Sequence, residues 1–124
     1  MALSGNYQIN ANGFKGILTL DLQEDDTIVG TTNIDPGGID LLQNITWDEG
    51  TGKITFDRVL RGGGGIQSYT GYRYRSSNPL FSDVPQQPGG EPPGTQHFLV
   101  FNGTFQTPAG GFGWMARMRD NSPG

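Results

Sequence analysis

The chain carries the same short hairpin pattern near both of its ends. Residues 5–14 read GNYQINANGF and residues 103–112 read GTFQTPAGGF, and both fit Gly-x-[Tyr/Phe]-Gln-x-x-x-x-Gly-Phe without a gap. In each copy an alternating apolar and polar run leads into a glycine-rich turn and a second alternating run, which is the pattern of a β-hairpin. Similar first and last hairpins predict a meandering sheet whose two ends meet. Chance similarity in a chain with 21 glycines is the alternative explanation.

Alternation with a period of two residues recurs along the chain and predicts eight strands. In the first of them Tyr7 and Ile9 share one side and Asn6 and Gln8 the other. The connections between strands are mostly short and carry turn-forming Gly, Pro, Asp or Asn. The predicted strands are residues 3–11, 14–22, 27–34, 39–47, 53–61, 66–75, 96–106 and 112–119.

Eight short strands in sequence predict an all-β domain, an eight-stranded antiparallel up-and-down β-barrel. A two-sheet sandwich is the alternative architecture. The 124 residues are expected to form a single domain. Residues 76–94 are rich in proline and glycine and break the alternation, so they are interpreted as one long loop of the barrel, either a lid or a disordered segment.

Composition argues against several classes of function. The chain has no cysteine, so disulfides and cysteine nucleophiles are excluded. A net charge of −4 argues against nucleic acid as the main partner, because phosphate binding needs a basic face. No apolar run approaches the roughly 18 residues that span a membrane. The N-terminal residues lack a basic region followed by an apolar stretch, so a cytoplasmic location is expected.

Ionisable residues give no motif for catalysis. His97 is the only histidine, so a site with several histidine ligands for a metal cannot form, and no Gly-x-Ser-x-Gly nucleophile elbow is present. We therefore expect a protein that is not an enzyme and that needs no cofactor or metal.

The opening segment resembles the start of avidin-like proteins. Residues 4–7 read Ser-Gly-Asn-Tyr and are followed by Asn10, by Gly13 and, after an acidic turn, by Gly30. Avidin-like proteins open with a Gly-x-Trp/Tyr strand, an asparagine-containing turn and a second strand that leads to a glycine-containing third. The resemblance implies an avidin-like or calycin-like barrel that is often oligomeric.

Two later segments, residues 69–72 and 101–105, resemble the strands of small calycins in general. Avidins hold biotin with several tryptophans, whereas this chain has only Trp47 and Trp114. Neither lies in a recognisable avidin biotin-binding motif, and the Pro-rich segment is foreign to avidins. The resemblance therefore supports the barrel more than it supports biotin.

Four residues are the predicted ligand-binding site: Trp47, Arg58, Tyr72 and Tyr74. In a meander the turns alternate between the two ends, so the long loop shares a mouth with the turns near residues 24–26 and 48–50. An inward Arg58 needs a carboxylate or a ligand anion. The opposite mouth, beside residues 35–38 and 62–65, is the alternative position.

The inward and outward faces follow from the same alternation. The fourth strand is expected to place Ile39, Leu41, Ile45 and Trp47 on one face. The second and seventh strands are apolar on both faces, so we expect another subunit or the 76–94 loop to cover the extra apolar surface. A homodimer or homotetramer is predicted.

The function expected from these features is non-catalytic binding of a small organic ligand. One alternative is a carbohydrate-binding lectin that uses Tyr69, Tyr72 and Trp114. The other is an enzyme of the barrel isomerase or cyclase type, which would need ionisable residues that converge inside the barrel.

Overall fold

The computed structural model describes residues 3–34, 38–77 and 96–120. All eight predicted strands are present, each within two residues of its expected bounds. A single 3₁₀ turn, Arg61–Gly63, follows the fifth strand. The strands are β1 (Gly5–Ala11), β2 (Phe14–Leu22), β3 (Ile28–Ile34), β4 (Ile39–Asp48), β5 (Lys53–Val59), β6 (Ile66–Ser77), β7 (His97–Thr107) and β8 (Gly110–Asp120).

The eight strands form a closed antiparallel barrel in which every strand pairs with its neighbour in the chain. β1 also pairs with β8, and Ile9 lies opposite Ala116. The predicted up-and-down barrel is confirmed, and so is the expectation that the first and last strands close it. The predicted loop at 76–94 lies, from residue 78 onward, outside the described residues. Among the described residues, no helix is long or apolar enough to span a membrane.

The first hairpin turns through two residues. Asn12 and Gly13 have φ values of 52° and 92°, and Ala11 lies opposite Phe14 across the turn. Positive φ at both central residues is the type I′ arrangement, for which Asn-Gly is the preferred pair because glycine has no Cβ to clash. The Asn-Gly sequence therefore sets the register of β1 on β2.

The sequence repeat does not extend to the register of the two hairpins. The last hairpin turns at residues 108–109, two positions earlier in the repeat than the first hairpin does. Phe105 consequently lies opposite Phe112. Tyr7, which holds the place of Phe105 in the repeat, instead lies opposite Leu18. Both copies form hairpins, but their aligned residues are not structurally equivalent.

A β-bulge in β4 changes which side chains face inward. Asn44 has a φ of 54°, and the pairing with β5 shifts between Gln43 and Thr46. The extra residue inverts the alternation, since side chains on a strand point to opposite faces in turn. Leu41 is therefore 66% exposed on the outer wall, whereas Asp40 is 3% exposed and faces inward. The prediction that Ile39 and Leu41 share a face with Ile45 and Trp47 is wrong for this reason.

Aromatic side chains fill the centre of the barrel. The indole of Trp114 lies 5.8 Å from the ring of Phe56, 5.6 Å from Tyr69 and 5.9 Å from Phe101, between ring centroids. Gly71 makes room for this indole, because a Cβ there would lie 2.7 Å from Cζ2 of Trp114. An eight-stranded barrel is just wide enough for side chains to fill. With the centre packed, the concave surface that is left inside the barrel lies at the two mouths.

Candidate functional site

Alternating turns give the barrel two mouths, and the predicted site residues are divided between them. The Arg58 mouth is bordered by the turns at residues 12–13, 60–65 and 108–109. The Trp47 mouth, at the other end, is bordered by the turns at residues 23–27 and 49–52. The structure therefore does not bring Arg58 and Trp47 together.

Tyr72 and Tyr74 lie on the outer wall. Their strand, β6, turns Gln67, Tyr69 and Arg73 inward, since these residues pair with inward residues of β5 and β7. Tyr72 is 52% exposed. The hydroxyl of Tyr74 accepts a hydrogen bond of 2.8 Å from Nδ2 of Asn102, and Tyr74 also lies at the rim of the Trp47 mouth. Both faces of β6 carry aromatic and polar residues, so alternation alone could not decide which face points inward.

The three aromatic residues of the lectin alternative do not share a surface either. Tyr69 and Trp114 are buried in the centre of the barrel, whereas Tyr72 faces outward. No common surface contains the three rings.

The Trp47 mouth is a polar pocket of about 320 Å³. The guanidinium of Arg73 lies over the indole of Trp47, 4.7 Å from the ring centroid, and its Nη1 donates to the hydroxyl of Tyr7 at 3.4 Å. Nε1 of Trp47 donates to Glu49, and this bond holds the pKa of the Glu49 carboxyl below its ordinary value. The ring of Trp47 is therefore already in contact with a cation, and its N–H is already bonded to a carboxylate.

At the Arg58 mouth, the carboxylate of Asp40 accepts hydrogen bonds from two arginines, Arg58 and Arg61. Nε and Nη2 of Arg58 approach Oδ2 of Asp40 at 2.9 and 2.7 Å. The backbone N–H of Arg61 donates to Oδ1 at 3.1 Å. Burial alone would raise the pKa of Asp40, but the hydrogen bonds from Arg58 and Arg61 outweigh it and lower that pKa. Arg58 faces inward, and the carboxylate it requires comes from this chain.

Gln67 continues this polar network toward the barrel centre. Its Oε1 accepts from Nη1 of Arg58 and from the hydroxyl of Tyr69, each at 3.1 Å. Burial raises the pKa of Tyr69, so its hydroxyl stays protonated and can donate at neutral pH. Gln67 therefore holds Arg58 against the wall of the barrel.

Above this network lies a cleft of about 320 Å³ with largely apolar walls. Phe14, Ile34, Leu60 and Phe112 are among its lining residues, and Arg58 is the one ionisable side chain among them. The guanidinium of Arg58 has five N–H groups. Asp40 and Gln67 accept hydrogen bonds from only some of them. The cleft thus combines an apolar wall with hydrogen-bond donors at its base, which is the usual composition of a small-molecule site.

Sequence reasoning missed Asp40 and Gln67 as site residues. The bulge in β4 is the reason that Asp40 was missed. In a regular strand without this bulge, Ile39 and Leu41 would take the inward positions. Asn44 was the available signal, since asparagine is enriched at positive φ and marks places where a strand departs from regular geometry.

Within residues 3–34, 38–77 and 96–120, no group of three or more His, Cys, Asp or Glu side chains could hold a metal ion. Comparison of the chain with protein-family models, with curated proteins and with solved structures finds no match in any of the three. Function is therefore inferred from the geometry of the described residues.

Proposed function

We propose that this protein is a non-catalytic binder of a small organic ligand, and that the ligand occupies the Arg58 mouth. The observation that supports this most is the cleft itself, in which apolar side chains surround a partly buried group of hydrogen-bond donors. A pocket of about 320 Å³ is at the small end of ligand sites in proteins. A ligand that fits this cleft has a compact apolar body.

The base of the cleft favours a ligand with an acceptor oxygen. Arg58 is a cation in direct contact with Asp40, and no carboxylate lines the cleft itself. A carboxylate or carbonyl oxygen that reaches the base would meet N–H groups of Arg58 and of the Gln67 amide. Phe14 and Phe112 would then contact the apolar body. Arg58 would then anchor the acid without Trp47, Tyr72 or Tyr74 beside it.

Calorimetric titration separates this proposal from its competitors. Biotin and octanoate each combine an apolar body with a carboxylate, whereas glucose is neutral and polar. We expect a carboxylate ligand to bind, and Phe112→Ala to weaken its binding about tenfold, because truncating a buried aromatic contact costs roughly 1–2 kcal/mol. Tyr74→Ala, at the other mouth, is the matched control and should leave the affinity unchanged.

Two results would contradict the proposal. Binding that is lost in Tyr74→Ala and Trp47→Ala but kept in Phe112→Ala would place the site at the Trp47 mouth, as first predicted from the sequence. Binding of glucose in preference to both acids would favour the lectin function.

A further inference from the structure

The Arg58 mouth brings two cations to a single carboxylate. The guanidiniums of Arg58 and Arg61 both approach Asp40, and Nε of Arg61 lies 3.4 Å from its Oδ1. The side chain of Arg58 is 11% exposed and that of Arg61, at the rim, is 56% exposed. Asp57 does not line the cleft, because it lies on the outer side of β5 and accepts hydrogen bonds from two exposed side chains there. The group of two arginines and one carboxylate therefore keeps one positive charge in excess, which complements a single negative charge on a ligand.

The hydrogen bonds of Arg58 leave part of its guanidinium available. Nε and Nη2 lie 2.9 and 2.7 Å from Oδ2 of Asp40, and Nη1 lies 3.1 Å from Oε1 of Gln67. Each terminal nitrogen of a guanidinium carries two N–H groups. One N–H on Nη1 and one on Nη2 are therefore directed at neither Asp40 nor Gln67. These two groups suit the two oxygens of a carboxylate, whereas a ketone or an amide offers one acceptor atom and no charge.

Contacts within the chain hold these donors in position before a ligand binds. Asp40 fixes one edge of the guanidinium, and Gln67 fixes Nη1. Gln67 is itself held, since its Oε1 also accepts from the hydroxyl of Tyr69 at 3.1 Å. Little side-chain freedom of Arg58 is then lost when an acid binds, which favours affinity.

The apolar walls determine which end of the ligand enters first. Arg58 lies at the base of the cleft, whereas Phe14 is 56% exposed at its opening. A ligand whose acid group reaches Arg58 leaves its apolar body against Phe14 and Phe112. The cleft therefore suits a molecule with its charge at one end.

We propose that the ligand of the Arg58 mouth is a monocarboxylic acid, and that Arg58 binds the ligand carboxylate and the Asp40 carboxylate at the same time. This inference rests on the proposed function and narrows it to one class of ligand. Asp40 then has two opposed effects: it holds Arg58 in position, and its own negative charge repels the acid. Asp40 is thus the residue that limits the affinity of the site, and a dianion such as a phosphate monoester is disfavoured.

Calorimetric titration of the wild-type chain with octanoate and with octanamide tests the class of ligand. The two probes share an apolar body and differ in the charge of the head group. We expect octanoate to bind at least about tenfold more tightly, because hydrogen bonds to an ionised acceptor are roughly twice as strong as neutral ones. Equal affinities would overturn the carboxylate class and leave the proposed function intact. Binding of neither probe would contradict the proposed function itself.

The variant Asp40→Asn tests the role of Asp40. It keeps the shape of the side chain and removes the competing charge, so octanoate should bind about tenfold more tightly than to the wild type, while octanamide binds as before. Asp21→Asn is the matched control, because it makes the same change of charge at an exposed position near the other mouth and should leave both affinities unchanged. Octanoate binding that is unchanged or weaker in Asp40→Asn would refute the shared use of Arg58.

The variant Arg58→Lys tests the two N–H groups without depending on Asp40→Asn, and it decides the question if Asp40→Asn does not fold. Lysine keeps a cation beside Asp40 but replaces the planar donor group with a point charge. We expect octanoate to bind at least about tenfold more weakly, with the octanamide affinity changed less. An unchanged octanoate affinity would show that a point charge is sufficient and would overturn the proposed geometry.

Discussion

Replacing Asp40 with asparagine removes the carboxylate that holds Arg58 inside the barrel. The change keeps the shape of the side chain and alters its charge. Arg58 would then remain as a buried cation, because its side chain is only 11% exposed and its Nη1 is held by Gln67. Removing one partner of a buried ion pair costs about 3–5 kcal/mol. We take about 3 kcal/mol, since the mouth gives water some access to the pair.

That loss corresponds to a clear change in melting temperature. Unfolding entropy is roughly 2.1 cal/mol/K per residue, so the 124 residues have about 260 cal/mol/K. A loss of ~3 kcal/mol then lowers Tm by about 12 °C. Urea unfolding followed by fluorescence gives the same free energy independently. Asp21→Asn, on an exposed carboxylate, is the control and should change stability by less than about 0.5 kcal/mol.

The dependence on pH gives a second check on Asp40. Its pKa in the folded protein is below the ordinary value of 3.8, so the carboxylate stabilises the fold fully above that value. This contribution is lost as the pH falls through the folded pKa. The stability difference between wild type and Asp40→Asn should therefore be constant near neutral pH and shrink below about pH 4. A difference under about 1 kcal/mol at pH 7, or one that grows on acidification, would refute the ion-pair argument.

Two further changes test the interior. Thr32→Val removes a hydroxyl that is fully buried and has no hydrogen-bond partner within the described residues. Urea unfolding should therefore show that the free energy of unfolding rises by about 1 kcal/mol. A fall would mean that the hydroxyl has a partner in solution. Gly71→Ala would put a Cβ 2.7 Å from the Trp114 indole. We expect the free energy of unfolding to fall by about 1–3 kcal/mol and the near-ultraviolet circular dichroism spectrum to change. An unchanged spectrum would contradict the close contact.

Strand positions were predictable because they depend on local alternation. Tyr7 and Ile9 face inward and Asn6 and Gln8 outward, as the period of two requires. Closure was also predictable, since eight short strands joined mostly by short turns leave few ways to cover a sheet edge. Asn12-Gly13 even indicated its turn type, which depends only on the φ values these two residues allow.

The candidate site was less predictable, because it depends on register. One extra residue at Asn44 moves Asp40 inside and Leu41 outside, and this single change determines the partner of Arg58. On β6, Tyr72 and Tyr69 are chemically alike, yet one is exposed and the other buried. Only the pairing of β6 with β5 and β7 separates them, and that pairing is fixed by residues distant in the chain.

The pairing of β1 with β8 has a consequence for how the chain folds. Residues 8–11 find their second neighbour only when residues 114–117 are present. Contacts between segments so distant in sequence form slowly, because a large loop must close before any stabilising contact is made. During synthesis on the ribosome the sheet would remain open, with β1 and β7 exposing unpaired backbone, until β8 emerges. The final strand therefore decides when the barrel loses the edges through which nascent chains aggregate.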